Sequence, residues 1–272
     1  MRFIQHKKEA YWFYRALSPL YDRWVNPLFW TPAMRSAALA LAHLDDRRLR
    51  TVDVGAGTGF STEGVVEHVE PSWVTLLDQS PDQLRRARRK PGLAACRFVL
   101  GDAERLPFED DTLDRYVSCG SIEYWPDPQR AIAEAYRVLR PGGVALLAGP
   151  LPPGGRLARR LADAWMLFPT EGQYREWFTN AGFASLETAY LDAPWGRDGG
   201  APYGLAIAGR KPASGPSPAA RRTPAEDLRE PLTAGRRVRF VVRFVLGSLA
   251  GAAFVPIGVA LNLRARRARR SA

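Results

Sequence analysis

Arg50-Thr51-Val52-Asp53-Val54-Gly55-Ala56-Gly57-Thr58-Gly59-Phe60 is the stretch on which the fold turns. A β-branched run enters three glycines at alternate positions, and residues 61–69 after it read as a helix. Glycine lets backbone approach a ligand closely, and a helix start offers N–H groups with no partner of their own. Strand, Gly-rich turn and helix together therefore make a site of nucleotide size.

Downstream, strands and helices alternate. Strands are expected at residues 73–77, 97–100, 113–118 and 144–148, with helices at 81–90 and 128–139 between them. Two further helices (156–167 and 171–181) and two final strands (185–190 and 203–209) complete a seven-stranded, mostly parallel sheet with helices on both faces, an α/β, Rossmann-like fold. Ligands of such sheets sit at the C-terminal strand ends, where Gly55, Asp78 and Asp102 all fall.

Upstream, residues 7–30 carry eight aromatic rings, from Tyr11 and Trp12 to Phe29 and Trp30. This reads as a helix capping the sheet, as a lid over an apolar ligand, or as both. A helix follows from Pro32, capped by Thr31. The chain thus divides into aromatic lid and cap helices at 1–44, a main domain at 45–211, a Pro/Ala/Ser-rich linker at 212–235 and a tail at 236–272.

Charge belongs to that tail. The chain carries a net +11, but nine arginines lie between Arg236 and Arg270 and no acid follows Glu230. Without those nine, 30 basic residues face 28 acidic ones. A nearly neutral body argues against a nucleic-acid groove. Cys96 and Cys119 form no disulfide framework, and neither they nor His6, His43 and His68 have metal-ligand spacing, so no metal is expected. The first residues lack an apolar signal run, which places the body in the cytoplasm. From Phe244 to Leu261 there are 18 uncharged residues, about 27 Å as a helix, with arginines on both flanks. That pattern predicts membrane attachment by a spanning, hairpin or surface-lying segment.

The acids select the ligand. Asp78, nineteen residues after Gly59, can accept both hydroxyl protons of a ribose. Asp102 can accept from an adenine amino group while the Ala103 N–H meets a ring nitrogen. A dinucleotide dehydrogenase would have a third glycine where Phe60 stands, and a second nucleotide-binding half.

Val52-Asp53-Val54-Gly55-Ala56-Gly57-Thr58-Gly59, Leu77-Asp78, Gly101-Asp102-Ala103 and Arg137-Val138-Leu139-Arg140-Pro141-Gly142-Gly143 resemble the class I S-adenosylmethionine-dependent methyltransferases over roughly residues 45–150. Phe3-Ile4-Gln5-His6-Lys7-Lys8-Glu9-Ala10, Gly120-Ser121-Ile122-Glu123-Tyr124-Trp125-Pro126-Asp127-Pro128, Trp165-Met166-Leu167-Phe168-Pro169 and Lys211-Pro212-Ala213-Ser214-Gly215 extend the likeness. Together they resemble the plastid 2-methyl-6-phytyl- and 2-methyl-6-solanesyl-1,4-benzoquinol methyltransferases of tocopherol and plastoquinone synthesis, which carry a C-terminal membrane segment. The Arg-rich tail and the absence of a transit peptide depart from them and suggest a prokaryotic relative.

The resemblance implies S-adenosylmethionine as cofactor, a prenylated benzoquinol as acceptor and methylation at a ring carbon. Cofactor contacts are expected from Asp53, Gly55, Ala56, Gly57, Asp78, Gln79, Asp102, Ala103 and Ser118, with the backbone of residues 118–120 facing the methionine part. His6, in the lid, and Glu123, after the fourth strand, are the candidate bases that activate the quinol. Cys119 is a candidate pocket wall, and Cys96 a core residue. Another lipid ring (a demethylmenaquinol or a sterol), a soluble metabolite, or cofactor binding without catalysis stand as alternatives.

Overall fold

The computed structural model describes residues 8, 11–12, 30–153, 156–192, 202–220 and 234–270. Three of its helices begin where a short polar side chain precedes proline. In α1 (Pro32–Leu39) the Thr31 hydroxyl accepts from the Met34 amide at 3.2 Å. The Phe60–Val65 helix, α2, starts instead from Gly59 in a left-handed conformation. Ser80 caps α3 (Pro81–Ala87) and Asp127 caps α4 (Pro128–Val138), each again with proline in the first turn. Between α1 and the sheet, His43 takes a left-handed conformation, and its carbonyl and that of Ala42 accept from the Arg115 guanidinium at 2.7 Å.

The strands are β1 (Thr51–Val54), β2 (Val74–Asp78), β3 (Arg97–Leu100), β4 (Leu113–Cys119), β5 (Leu139–Pro150), β6 (Ala184–Leu191) and β7 (Gly204–Arg210). They form one sheet in the order β3-β2-β1-β4-β5-β7-β6. Strands β1 to β5 pair in parallel, while β7 runs antiparallel to both β5 and β6. The order reverses between β1 and β4, so a crevice opens above those two strand tips. Two apolar clusters cover the sheet. Val65, Leu76, Val117 and Leu146 lie in one, and Val52, Tyr116, Leu147 and Phe178 in the other. Alternate residues of one strand reach opposite faces.

Several boundaries differ from those expected. Helix α2 stops at Val65, short of residue 69. Strand β5 begins at Leu139, because Leu139 pairs with Leu113 and Arg140 is drawn to the buried Asp114 at 2.6 Å. Residues 212–220, expected as linker, are packed on the body. Ser217 is buried and donates to the Ala181 carbonyl at 2.9 Å, and the Ser214 hydroxyl donates to Asp111. Lys211 at their head is wholly buried, with its ammonium on the Asp111 carboxylate and over the Tyr136 ring.

Two helices follow β5 on the far side: α5 (Arg156–Trp165) and α6 (Glu171–Ala181), the latter opened by a Thr170/Gln173 capping box. The tail is one helix, α7 (Ala234–Arg270), laid against α5. Among the described residues no helix is long and apolar enough to cross a membrane, so the expected spanning helix is not found there. Of residues 1–29 only Lys8, Tyr11 and Trp12 are described, so His6 lies outside the described residues.

Candidate active site

A cleft, continuous with the solvent in front of it, opens over the tips of β1 to β4. Its polar lining comes from Gly55, Ala56, Gly57, Thr58 and Ser61 after β1, Asp78, Gln79, Ser80 and Gln83 after β2, and Gly101, Asp102, Ala103 and Glu104 after β3. Its aromatic lining comes from Tyr11, Trp30, Phe60, Tyr124 and Trp125, with Cys119, Gly120, Ser121 and Pro126 beside them.

Each glycine of the turn does different work. Gly55 has φ of +70°, and a Cβ there would stand 2.5 Å from the Ser121 Cβ, so the turn closes against the β4 loop. At Gly57, with φ of +56°, a Cβ would meet nothing within 4 Å. That open face is backbone offered to a ligand. Gly59 serves packing, since a Cβ there would strike Leu93 at 2.5 Å.

Asp78 is the centre of the polar side. Its carboxylate accepts from the Gly57 amide at 2.9 Å and from the Ser80 amide at 2.8 Å. Burial raises its pKa, and these amides oppose the rise. A carboxylate has lone pairs beyond the two used here, so it can still accept from a diol. Asp102 is oriented in turn by the Glu104 amide at 3.0 Å, and the buried Glu104 accepts from the Asp127 amide at 2.9 Å. Gln83, which the sequence reading missed, is buried in the wall and its Oε1 has no hydrogen-bond partner. Its position one turn into α3, behind the Ser80 cap, was the only available signal.

Gly55, Ala56, Gly57, Asp78, Gln79, Asp102 and Ala103 thus line the cleft together. Asp53 and Ser118 do not. Asp53 is wholly buried behind the wall, where the hydroxyls of Ser61 and Thr62 donate to it at 2.6 Å each. Burial pushes its pKa up to about 6, and the two hydroxyls and Asp78 modulate the rise. It holds the start of α2 under the turn. Ser118 is likewise sealed, sharing a 2.6 Å hydrogen bond with Ser121, which does face the cleft. Both act on the site through a neighbour that lines it, Asp53 through Ser61 and Ser118 through Ser121.

On the aromatic side, Trp30 lies over Gly120, where a Cβ would come within 3.1 Å of the indole, and meets Tyr203 edge-on at 6.1 Å. Tyr124 lines the cleft and packs with Trp165 and Phe168 in a third apolar cluster. Between the lining residues Ser121 and Tyr124, Glu123 points inward. Its carboxyl is buried behind the wall, Oε2 has no hydrogen-bond partner, and burial pushes its pKa up to about 8. The Cys119 thiol is pushed well up by burial and by the Asp53 and Glu123 carboxylates, so it remains a neutral part of the wall. His43 meets Glu187 at 2.9 Å and His68 is exposed, both away from the cleft.

The polar side suits a nucleoside with a cationic tail. Asp78, Asp102 and the open backbone at Gly57 line it together, and these acceptors beside bare backbone fit S-adenosylmethionine. Residues 52–147 match the model of a methyltransferase domain family. The chain is 52% identical over 261 residues to the chloroplastic 2-methyl-6-phytyl-1,4-hydroquinone methyltransferase of Arabidopsis thaliana, covering 95% of this chain and 77% of that protein. To the Spinacia oleracea protein of the same name it is 50% identical, covering 95% and 75%. Among solved structures, geranyl diphosphate C-methyltransferase from Streptomyces coelicolor, in complex with Mg2+, geranyl diphosphate and S-adenosyl-L-homocysteine, matches with a TM-score of 0.55 at 15% identity, over 66% of this chain and 77% of that one. That likeness is one of fold.

Proposed function

This chain belongs to the 2-methyl-6-phytyl-1,4-hydroquinone methyltransferases and is an S-adenosylmethionine-dependent enzyme; from that premise we propose that it methylates a ring carbon of a prenylated hydroquinone in prenylquinone biosynthesis. The observation that carries the reading is one cleft with two chemistries. Its polar half is organised on Asp78, and its aromatic half on Trp30, Tyr124 and Trp125.

S-adenosylmethionine supplies an electrophilic methyl group on a sulfonium. The protein has to align the acceptor with it and help the acceptor lose a proton. Asp78 and Asp102 would hold the ribose and adenine, with the open Gly57 backbone beside them. Trp30, held by Tyr203 on the flat floor at Gly120, and Tyr124 orient a flat ring and exclude water from it. A hydroquinone carbon beside a hydroxyl becomes nucleophilic as that hydroxyl gives up its proton; once the carbon is methylated it sheds its own proton, the oxygen regains one, and one proton leaves per turnover.

Glu123 is the proposed acceptor of the hydroxyl proton, and because its carboxyl lies behind the wall the proton has to reach it by way of the 121–124 loop. A carboxyl with pKa about 8, next to Tyr124 and Cys119, is half ionised near the pH at which a base works best. His6 remains the second candidate. The tail attaches the enzyme to the bilayer that dissolves the acceptor, with the body in the cytoplasm. Incubating the full chain with methyl-labelled cofactor and a series of prenylated hydroquinones tests the reading. Label on a ring carbon of the quinol supports it, and label only on oxygen, or none, rejects it.

A further inference from the structure

We infer that the side-chain amide of Gln83 reads the N6–N7 edge of the cofactor's adenine, its oxygen accepting from the N6 amino group and its nitrogen donating to N7. This deepens the cofactor reading and rests on it: Asp78 takes the ribose, and Asp102 with the Ala103 amide takes the N6–N1 edge.

Gln83 is placed between those two acids. Its helix, α3, packs across β2 and β3, whose tips lead to Asp78 and Asp102. The two tips are drawn together. The Gly101 amide donates to the Asp78 carbonyl at 3.0 Å, and a Cβ on Gly101 would stand 2.8 Å from Leu77. Gln83 is also fixed against the sugar site, since its backbone amide donates to the Ser80 hydroxyl at 3.4 Å and the Ser80 amide donates to the Asp78 carboxylate at 2.8 Å.

The side chain is 96% buried yet lines the cleft, and Oε1 is sealed in the wall with no hydrogen-bond partner. Folded proteins pair nearly all such acceptors, because one left bare is destabilising. An apolar side chain of the same length would fill the wall without that penalty, so packing does not account for an amide here. The terminal torsion of glutamine is soft. Turning about it brings the oxygen to the cleft, where a ligand can donate to it, and breaks no hydrogen bond at Oε1.

Hydrogen-bond complementarity picks the edge. A carboxamide presents an acceptor and donors side by side. With Asp102 and Ala103 on N6 and N1, adenine still offers the second amino hydrogen beside the N7 acceptor. Glutamine meets that same edge at two points when it reads adenine in DNA. The ribose hydroxyls already have Asp78, and N3 has no donor group beside it.

Titration calorimetry of the full chain with S-adenosylhomocysteine and with its 7-deaza analogue, in which N7 is replaced by C–H, tests this. Wild type should bind the analogue about threefold to tenfold more weakly, the effect of one lost hydrogen bond. Gln83→Met should bind S-adenosylhomocysteine more weakly by at least that factor and should no longer distinguish the two compounds. Equal affinity of wild type for both overturns the inference, a comparison that holds whatever the stability of the variant. So does a Gln83→Met protein that weakens both compounds equally and keeps the discrimination, as a purely structural role would. Wild type that binds neither compound overturns the inference together with the cofactor reading, whereas binding of both without discrimination overturns the inference alone. Discrimination by a protein that methylates no hydroquinone supports the inference and counts only against the proposed acceptor.

Discussion

The amide of Gly57 donates to the Asp78 carboxylate across 2.9 Å, tying the turn after β1 to the tip of β2. That contact sets the carboxylate where a ribose diol would meet it, and leaves its remaining lone pairs toward the cleft.

Asp78→Asn should therefore weaken cofactor binding by about tenfold to a hundredfold, the usual cost of losing hydrogen bonds to a charged group. Titration calorimetry with S-adenosylhomocysteine reads the change. Unaltered affinity would remove Asp78 from the sugar.

Gly55→Ala and Gly57→Ala should separate stability from binding. Both place a side chain at positive φ, at about 1–2 kcal/mol. At Gly55 the methyl also collides with Ser121, so the total should reach about 3 kcal/mol in a denaturant melt. At Gly57 the methyl meets no protein atom and should instead obstruct the ligand, lowering affinity with a smaller loss of stability. Equal losses of stability would contradict this division.

Glu123→Gln should change the pH dependence of both stability and turnover. The folded protein holds the Glu123 proton up to about 8, and the unfolded chain releases it near 4.5. The folded state binds more protons in that window. The contribution is thus fully present below pH 4.5 and is lost as pH rises to about 8, at up to roughly 1.4 kcal/mol per pH unit. Gln titrates nothing, so its melting temperature should gain on wild type as pH is raised from 5 to 9. Parallel curves would show that Glu123 is not the buried titrating group. As the base, Glu123 should also give turnover that rises toward pH 8, a limb that Gln removes.

Asp111→Ala should destabilise by about 3–5 kcal/mol, because it leaves the Lys211 ammonium buried without its carboxylate. Adding Lys211→Met should recover most of the loss, since the apolar chain fills the same space. Urea melts of the three proteins measure it. A double variant no more stable than Asp111→Ala would mean that the lysine stem, not its charge, matters.

Local chemistry made the first three strand tips legible. Alternating strands and helices, glycines that need positive φ, and Asp78 and Asp102 at strand ends are all properties of a few adjacent residues. The cap residues Thr31, Ser80 and Asp127 announce their helices for the same reason. The side chains of Asp53 and Ser118 are buried against Ser61 and Ser121, partners eight and three residues away that the motif does not announce. Arg115, deep in β4, finds its partners over seventy residues away in the turn after α1.

By itself, then, the sequence determined the α/β class, the order of its elements and the polar half of the cleft, since each rests on short-range backbone preferences. Tertiary structure alone decided three things. It sealed Asp53 and Glu123 behind the wall, clasped residues 212–220 to the body through Lys211 and Asp111, and laid α7 on Trp165 with its valines outward. These depend on which distant surfaces exclude water together, and burial of that kind is a property of the packed chain that no local pattern contains.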